Sequence, residues 1–447
     1  MPAGLCFAGD VHDASQVAFL GDKTWVDADG IRHTDQQIFD PAFDMIRGAR
    51  KLVLLDMFLY NDFQRGTPET TRLLSSELTD TLLQQKQAYP DITIVVITDP
   101  INTVYGSLPS TQFVRLTDAG ITVVATDLSR LRDSNPVYSF CWRLLIKPFG
   151  NSQGGFLPNP FDPRGKVTLR SYLAMLNFKA NHRKSLIADD GDELVGLVAS
   201  ANPHDASSAH ANVAIRFTGA AVEDLLATEN SVLKLSGQKP LRLPMAAPRQ
   251  SPGVSVQILT EQAIKTEALR FIEQAQAGEC IDLATFYLSD RDIIGALKRA
   301  KGRAVIMRVL LDPNKDAFGF RKFGIPAQPV AKELRQANID VRWSHTHGEQ
   351  CHVKMIRGAN KHGEGFVLLG SANLTRRNLE NFNLETNVLV RASCSSEVLR
   401  DAQRHFDLLW NNAPEQIFSV PYEHYQDESF MKKGLYRFME VSGMCTF

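Results

Sequence analysis

Two short segments of the chain each place a histidine and a lysine two residues apart. The first segment contains His182 and Lys184, and the second contains His352 and Lys354. On a β-strand, residues two apart project from the same face, so each pair is expected to reach into one space. An imidazole beside an ammonium, supplied twice, suits covalent attack on a phosphate ester. A single pair would be interpreted as a solvated surface strand, but two copies with matching surroundings favour a shared site.

The same Ser-Ala-Asn element follows both pairs. Ser200 and Asn202 follow the first pair, and Ser371 and Asn373 follow the second. In phosphoryl transfer, negative charge collects on the non-bridging oxygens, which lysine and asparagine side chains can hold. The asparagines are therefore predicted to be catalytic. The serines are weaker, supporting candidates for substrate binding.

The repetition extends along the whole chain. A β-branched, apolar stretch ends in Asp99 and Pro100 in the first half, and a similar stretch ends in Asp312 and Pro313 in the second. Apolar strands alternate with helical segments in both halves, which predicts the α/β class. We expect two similar lobes, each a mostly parallel mixed sheet flanked by helices, related by an approximate two-fold axis. The Asp-Pro pairs are interpreted as turns without a catalytic role.

A proline-rich stretch separates the two halves. Residues 239–253 contain four prolines, which neither a helix nor a central strand tolerates. We therefore predict an N-terminal lobe over 1–238, a linker over 239–253 and a C-terminal lobe over 254–447. Each lobe is long enough to bury a core of its own.

Composition limits the possible functions. The 49 Lys and Arg residues nearly balance the 50 Asp and Glu residues, so no global positive field attracts nucleic acid. No apolar run approaches the roughly 18 residues of a membrane span, and the N-terminus lacks the pattern of a secretory signal. The six cysteines are scattered, which argues against zinc and against a disulfide framework. We expect a cytoplasmic protein with neither metal nor cofactor.

With these motifs, the chain resembles the phospholipase D superfamily, whose motif is His-x-Lys-x4-Asp followed by Gly or Ser and Asn. The first copy matches at His182, Lys184 and Asp189, whereas Ala359 stands where the second copy should have its Asp. The stretch 369–379 is also characteristic of the family. The resemblance implies one metal-free active site where the motifs meet. Asp189 is counted with the catalytic set, although its distance from the lysine favours a bracing role.

An acidic residue near the second motif suggests different roles for the two histidines. Aligning the Asn-Val dipeptides that follow the motifs places Glu385 opposite His210. Members of the resembled family commonly set an acid against the second nitrogen of the imidazole. If Glu385 contacts His352, that ring becomes the general acid, while a neutral His182 attacks phosphorus. A solvated carboxylate at a strand end is an equally open interpretation of Glu385.

The first half carries an insertion directly before its motif. Ile121 and its counterpart Ile339 are 218 residues apart, but His182 and His352 are only 170 apart, so the first half has 48 extra residues. They lie close to 129–178. This segment is rich in aromatic residues and has seven Lys or Arg against two Asp.

Mixed aromatic and basic residues suit a membrane interface. Trp142 and Phe149 are accordingly predicted to contact a lipid substrate, and 430–439 repeats the same mixture. Three alternatives remain open for the insertion. Its aromatics could pack under a long loop, stack on single-stranded nucleic acid, or form a surface for a partner protein.

The predicted function is that of a phospholipid phosphodiesterase or phosphatidyltransferase, similar to phospholipase D or cardiolipin synthase, acting through a phosphohistidine. We expect it on the inner face of the membrane as a peripheral protein, with no obligate protein partner. A metal-independent nuclease of the same superfamily, with nucleic acid as substrate, is one alternative. A catalytically silent binding scaffold is another, but retention of both His-Lys pairs argues against it.

Overall fold

The computed structural model describes residues 4–65, 70–242, 253–317, 320–321, 323–427 and 429–442. The first half alternates strands and helices, as its sequence pattern predicts. Its strands are β1 (His12–Asp13), β2 (Val17–Gly21), β3 (Lys23–Val26), β4 (Arg32–Asp35), β5 (Leu52–Met57), β6 (Thr93–Thr98), β7 (Thr122–Ala125), β8 (Leu157–Pro158), β9 (Lys166–Val167), β10 (Lys184–Asp190), β11 (Glu193–Ala199) and β12 (Val213–Thr218). Its α-helices are α1 (Phe39–Gly48), α2 (Leu74–Ala88), α3 (Thr111–Asp118), α4 (Pro136–Leu145), α5 (Leu169–Met175) and α6 (Ala221–Leu235).

The second half follows a similar order. Its strands are β13 (Val254–Thr260), β14 (Cys280–Thr285), β15 (Ile306–Leu311), β16 (Asp316–Ala317), β17 (Phe320–Arg321), β18 (Asp340–Ser344), β19 (Lys354–Ala359), β20 (Glu364–Gly370), β21 (Thr386–Ser393) and β22 (Ser419–Pro421). Its α-helices are α7 (Gln262–Gln274), α8 (Arg291–Gly302), α9 (Ala327–Gln336), α10 (Arg376–Leu379), α11 (Glu397–Asn411) and α12 (Phe430–Ser442).

The two main sheets share one strand order. The first-half sheet runs β2-β12-β11-β10-β5-β6-β7, and the second-half sheet contains the matching run β13-β21-β20-β19-β14-β15-β18. Strands β5, β6 and β7 are parallel, as are β14, β15 and β18, because helices connect them. The α/β class is therefore confirmed.

The sheets are mixed rather than mostly parallel. Strands β10 to β12 and β19 to β21 pair antiparallel with their neighbours. The physical reason is that each motif strand returns through a short hairpin, and hairpin-connected strands must run antiparallel. Each motif strand also pairs antiparallel with the first parallel strand of its lobe, β5 or β14. This pairing places the motif histidine beside the carboxyl end of that strand.

The lobes share a hydrophobic core. Val213 and Ile215 of β12 belong to the same buried cluster as Val388 and Val390 of β21, and all four are 0% exposed. A second cluster lies wholly in the first half and a third wholly in the second. In addition, β1 of the first half pairs with β13 at the edge of the second-half sheet. The two halves are thus interlocked; most of the predicted linker, 243–252, lies outside the described residues.

The predicted insertion lies between β7 and β10. It contains α4, β8, β9 and α5, whereas in the second half a short connection joins β18 to β19. The chain of the insertion leads directly into the first motif. None of the helices in the described ranges combines the length and the apolar character needed to cross a bilayer.

Candidate active site

The two motif histidines line one cavity between the lobes. Each lies two residues before its motif strand, and the cavity they share has a volume of about 160 Å³. Backbone hydrogen bonds across the interface hold this arrangement. The amide of His182 donates to the carbonyl of Leu384 over 2.9 Å, and the amide of Ala211 donates to the carbonyl of Gln350 over 3.0 Å. The motifs therefore meet in a single site, as predicted.

His182 is paired with a buried carboxylate. Its Nδ1 lies 3.0 Å from Glu385, which is 0% exposed and also accepts from the Ser371 hydroxyl and the Asn378 amide. Burial lowers the pKa of His182 to about 4, although the carboxylate opposes this shift. Burial also opposes ionisation of Glu385, but the adjoining His182 and Lys184 bring its pKa below the usual value. With this pKa, His182 is neutral at neutral pH, donates its Nδ1–H to Glu385 and keeps an Nε2 lone pair.

His352 is paired with a neutral amide instead. Its Nδ1 lies 3.1 Å from Oδ1 of Asn212. The amide orientation is fixed, because Oδ1 also accepts from the Ser200 hydroxyl over 3.0 Å and Nδ2 donates to the His210 carbonyl over 3.2 Å. His352 must therefore carry a proton on Nδ1. Burial, then Lys354 and His210, hold the pKa of His352 well below its usual value.

The predicted contact between Glu385 and His352 is wrong. The segment that precedes β12 or β21 reaches across the interface, so each histidine receives its Nδ1 partner from the opposite half. Glu385 of the second half therefore contacts His182, and Asn212 of the first half contacts His352.

The predicted equivalence of Glu385 and His210, based on the Asn-Val dipeptides, is out of register by two residues. Ala199 at the end of β11 pairs with Ala214, and the equivalent pairing at the end of β20 involves Asn387. Counting back two residues from Ala214 and Asn387 gives Asn212 and Glu385. These two residues, rather than the similar Asn-Val dipeptides, are structural equivalents.

The motif lysines are buried directly behind the histidines. Nζ of Lys184 and Nζ of Lys354 each donate to the carbonyl of their own motif histidine. They lie 5.0 and 5.3 Å from the ring centres of Phe58 and Phe286, respectively. Burial lowers the pKa of Lys184 to about 7, while burial and the nearby Lys184 hold the pKa of Lys354 well below its usual value. Two desolvated amines beside one carboxylate make a site that an anionic ligand would stabilise in its charged form.

The two motif asparagines line the cavity, but the serines do not. Oδ1 of Asn202 accepts from the Leu59 amide over 3.2 Å, whereas Oδ1 of Asn373 is buried and accepts no hydrogen bond from the described residues. Ser200 and Ser371 are both 0% exposed, and their hydroxyls bind the Nδ1 partners of the histidines. The serines therefore position other side chains, and their predicted role in substrate binding is wrong.

Comparison with known proteins is consistent with this site. A family model described as a cardiolipin synthase, phospholipase D-like domain matches residues 268–410, which include His352, Lys354 and Asn373. Over these residues, the chain is similar to phospholipase D-like domains. Among curated proteins, none matches the chain by sequence.

One solved structure resembles the chain in fold over nearly its whole length. Phosphatidylserine synthase from Haemophilus influenzae superposes with a TM-score of 0.61 at 12% identity, covering 98% of this chain and 96% of that one. Polyphosphate kinase from Porphyromonas gingivalis has a TM-score of 0.47 at 12% identity, with coverage of 96% and 53%. Nuc, a phospholipase D family member from Salmonella typhimurium, has a TM-score of 0.29 at 20% identity, with coverage of 37% and 97%.

The motif aspartate lies away from the cavity. The carboxylate of Asp189 accepts from the amides of Arg50, Lys51 and Leu52 over 2.7 to 3.1 Å, at the opposite end of β10 from Lys184. These contacts favour the bracing role over a direct catalytic one.

Neither aromatic residue predicted to bind substrate lines the cavity. Trp142 is half-buried in a separate cavity of about 210 Å³ that Tyr105 and Lys179 also line. Trp142 thus lines a different cavity from the motif histidines, and its contact with substrate stays a prediction. Phe149 is 70% exposed on the surface of the insertion.

The Asp-Pro pairs do more than form turns. Asp99 accepts from the amide of Asn181 over 2.8 Å, and Asp312 accepts from the amide of Cys351 over 2.8 Å. These amides belong to the residues directly before the two histidines. Burial raises the pKa of both aspartates to about 7. The repeat revealed both aspartates, but only the fold reveals that they anchor the motif backbones.

Three further cavity residues were not predicted from the sequence. The ring of Phe58 lies 4.7 Å from that of His182, and the ring of Phe286 lies 5.3 Å from that of His352. Their equivalent positions in the repeat were the available signal. Arg377 also lines the cavity, and nothing in its local sequence distinguishes it from a surface arginine.

Proposed function

We propose that the protein transfers a phosphatidyl or related phosphodiester group through a covalent intermediate on His182. The observation that carries this proposal is a cavity in which two histidines with fixed Nδ1 partners lie beside two buried lysines. A phosphodiester anion would be attracted by the protonated lysines. One histidine ring can attack phosphorus while the other transfers a proton.

His182 is the proposed nucleophile. Attack by its Nε2 on phosphorus places positive charge on the ring, and the charge is shared with Nδ1–H. The carboxylate of Glu385, 3.0 Å away, stabilises that charge, whereas the neutral amide of Asn212 at His352 cannot do so equally. The assignment thus agrees with the sequence-based one but rests on a different contact.

His352 is the proposed general acid. The bound phosphodiester anion favours its imidazolium form, and an amide partner leaves that cation a stronger acid than a carboxylate partner would. As the bond from Nε2 of His182 to phosphorus forms, the bond from phosphorus to the leaving oxygen breaks. That oxygen takes the proton from Nε2 of His352.

The second step reverses these roles. Neutral His352 takes a proton from water or an alcohol, whose oxygen attacks phosphorus and displaces Nε2 of His182. Hydrolysis and transfer differ only in which acceptor enters. Lys184, Lys354 and the amide of Asn373 are the groups proposed to hold the non-bridging oxygens.

Phospholipid is the substrate we propose. The insertion that leads into the first motif exposes apolar and basic side chains, and the matching family model is described as cardiolipin synthase-like. We further propose that the protein works on the inner face of the membrane, as a peripheral protein. A nuclease reaction uses the same chemistry and is the competing outcome.

Labelled phosphatidylglycerol vesicles and, separately, single-stranded DNA provide the test. The expected result is release or transfer of the lipid headgroup, no cleavage of DNA, and an acid-labile phosphoryl adduct that maps to His182 and is absent from His182→Ala. His352→Ala should still form the adduct slowly from a substrate with an activated leaving group. An adduct on His352 would contradict the assigned roles, and DNA cleavage without lipid turnover would contradict the proposed substrate.

A further inference from the structure

Helix α4 of the insertion has its apolar face exposed to solvent. Val137, Phe140, Leu144 and Leu145 recur with helical spacing, and they are 79%, 63%, 64% and 64% exposed. An amphipathic helix on a soluble protein normally packs this stripe against the core. Here Ser139 is the buried residue instead. A continuous apolar stripe in contact with water marks a binding surface.

The surface around α4 continues this pattern and is basic. Phe149 and Phe156 are 70% and 73% exposed. Lys147, Lys166 and Arg170 are exposed in the same segment, and the guanidinium of Arg170 lies 5.9 Å over the Phe149 ring. Apolar side chains that project among cations are the arrangement by which peripheral proteins enter an anionic headgroup layer.

Helix α12 presents a second surface of the same kind. Met431, Leu435 and Phe438 share one face of the helix and are 84%, 51% and 58% exposed. The opposite face is packed down, because Tyr436 is 0% exposed and contacts the second-half core. The helix is therefore fixed to the protein with its apolar face outward.

A series of contacts connects the insertion to α12. The ring of Phe382 lies between two guanidinium groups, 4.6 Å from that of Arg132 in the insertion and 5.2 Å from that of Arg376. Arg376 in turn donates to the carbonyls of Glu440 and Val441 at the end of α12.

The loop that joins the two surfaces also serves the cavity. Residues 375–384 include Phe382, and they supply Arg377, Asn378 and Asn383 to the cavity wall. The loop that contacts both the insertion and α12 is thus also a wall of the cavity.

We propose that α4 and α12 together dock the protein on a bilayer with anionic headgroups, so that the cavity opens onto the lipid surface. The purpose of docking rests on the proposed function. The exposed apolar and basic residues support membrane binding independently of that function. The basic residues among the apolar ones fit an anionic membrane better than a second copy of the chain, since two copies would bring like charges together.

Vesicle co-sedimentation of the full chain tests the proposal. All proteins carry His182→Ala, so that binding is measured without turnover. The test variants are Phe140→Ser with Leu144→Ser in α4, and Met431→Ser with Phe438→Ser in α12. We expect each pair to weaken binding to vesicles of phosphatidylcholine and phosphatidylglycerol by about tenfold or more, given the apolar area withdrawn from lipid. Raising the salt concentration should weaken binding further.

Ile306→Ser is the matched control. This residue is 58% exposed at the start of β15, the end of the sheet away from the cavity, so its loss should leave vesicle binding unchanged. Unchanged binding by both double variants would overturn the proposal. So would a wild-type dimer, detected by light scattering, that the variants convert to monomers without any change in vesicle binding.

Failure of the docking proposal can be separated from failure of the proposed function. With an intact His182, the two double variants should still turn over a small soluble phosphodiester, because none of the four replaced residues lines the cavity. Normal vesicle binding without any lipid turnover would contradict the proposed function and leave docking supported. Lipid turnover together with unimpaired vesicle binding by all variants would contradict docking and leave the proposed function supported.

Discussion

At the residue scale, the partners of the two histidines separate their roles. Glu385 is held by hydrogen bonds from His182, Ser371 and Asn378, so its carboxylate is fixed against Nδ1. Asn212 is fixed just as firmly against His352 but carries no charge. The charge on Glu385, which Asn212 lacks, is therefore what separates the proposed roles of the two histidines.

Glu385→Gln should lower kcat by roughly 10²- to 10⁴-fold with a much smaller change in KM. The variant keeps the shape of the side chain but loses the charge that stabilises the phosphorylated His182 ring. Steady-state kinetics with a soluble phosphodiester would measure the effect. Glu364→Gln, on the exposed start of β20, is the matched control. A Glu385→Gln enzyme with normal kcat would contradict the assigned role of the carboxylate.

Asn212→Asp should move the alkaline limb of the pH–rate profile upward by about one pH unit. His352 must be protonated to act as an acid, so activity falls as the pH rises through its pKa in the complex. A carboxylate beside Nδ1 raises that pKa and so preserves activity to higher pH. A profile of kcat against pH would measure the shift, because kcat reports the pKa values of the enzyme–substrate complex. An unmoved alkaline limb would show that another group controls it.

At the element scale, aspartates tie the backbone before both motif strands and also the far end of β10. Asp99 and Asp312 anchor the residues that precede the histidines, whereas Asp189 anchors the far end of β10 to the turn before β5. In the second half, Ala359 occupies the motif position, and Glu279 accepts from the Gln276 amide within the corresponding connection. The missing aspartate thus changes a structural tie rather than the cavity.

Asp189→Ala should destabilise the protein by about 1–3 kcal/mol, because it leaves buried backbone amides without an acceptor. Since the carboxylate lies outside the cavity, kcat for a soluble substrate should stay near the wild-type value. Urea denaturation and steady-state kinetics would measure the two effects separately. A large loss of kcat in protein that remains folded would return Asp189 to the catalytic set.

Much of the fold and the chemical groups of the site were predictable from the sequence. The apolar stretches predicted the strands that end at Asp99 and Asp312 and the alternation of strands with helices, because local patterns record which residues face a core. The pairing of Glu385 was not predictable. A two-residue error in register leaves the pattern of apolar residues intact but changes the residue that crosses the lobe interface. Nor could the sequence indicate that the apolar residues of α4 face solvent, because helical spacing does not show what an apolar stripe packs against.

At the scale of the whole molecule, the halves form one cooperative unit. Arg183 is fully buried and lies 2.8 Å from Glu261 of the second half and 3.4 Å from Glu229 of the first. Together with the shared core and the β1–β13 pairing, this ion cluster joins the lobes over a large surface. Separating them would expose apolar area and leave buried charge without its partner.

Scanning calorimetry should therefore record a single unfolding transition for the full chain. Residues 1–238 and 254–447 expressed separately should be poorly soluble, because each would expose the shared core. The measurement is the ratio of van't Hoff to calorimetric enthalpy, with solubility of the separate halves as a second readout. Two resolved transitions would mean that the lobes fold independently.

Each motif histidine receives its Nδ1 partner from the opposite half, and this arrangement allows the two histidines to take different roles in the reaction. In an assembly of two identical chains, symmetry would supply the same partner to both rings, and either ring could receive the phosphoryl group. Fusion of the repeats removes that constraint, so Glu385 and Asn212 can differ and only one ring is favoured as acceptor. Exchanging them, as Glu385→Asn with Asn212→Glu, should move the trapped adduct from His182 to His352. Peptide mapping of the adduct would show whether these two side chains determine which histidine receives the phosphoryl group.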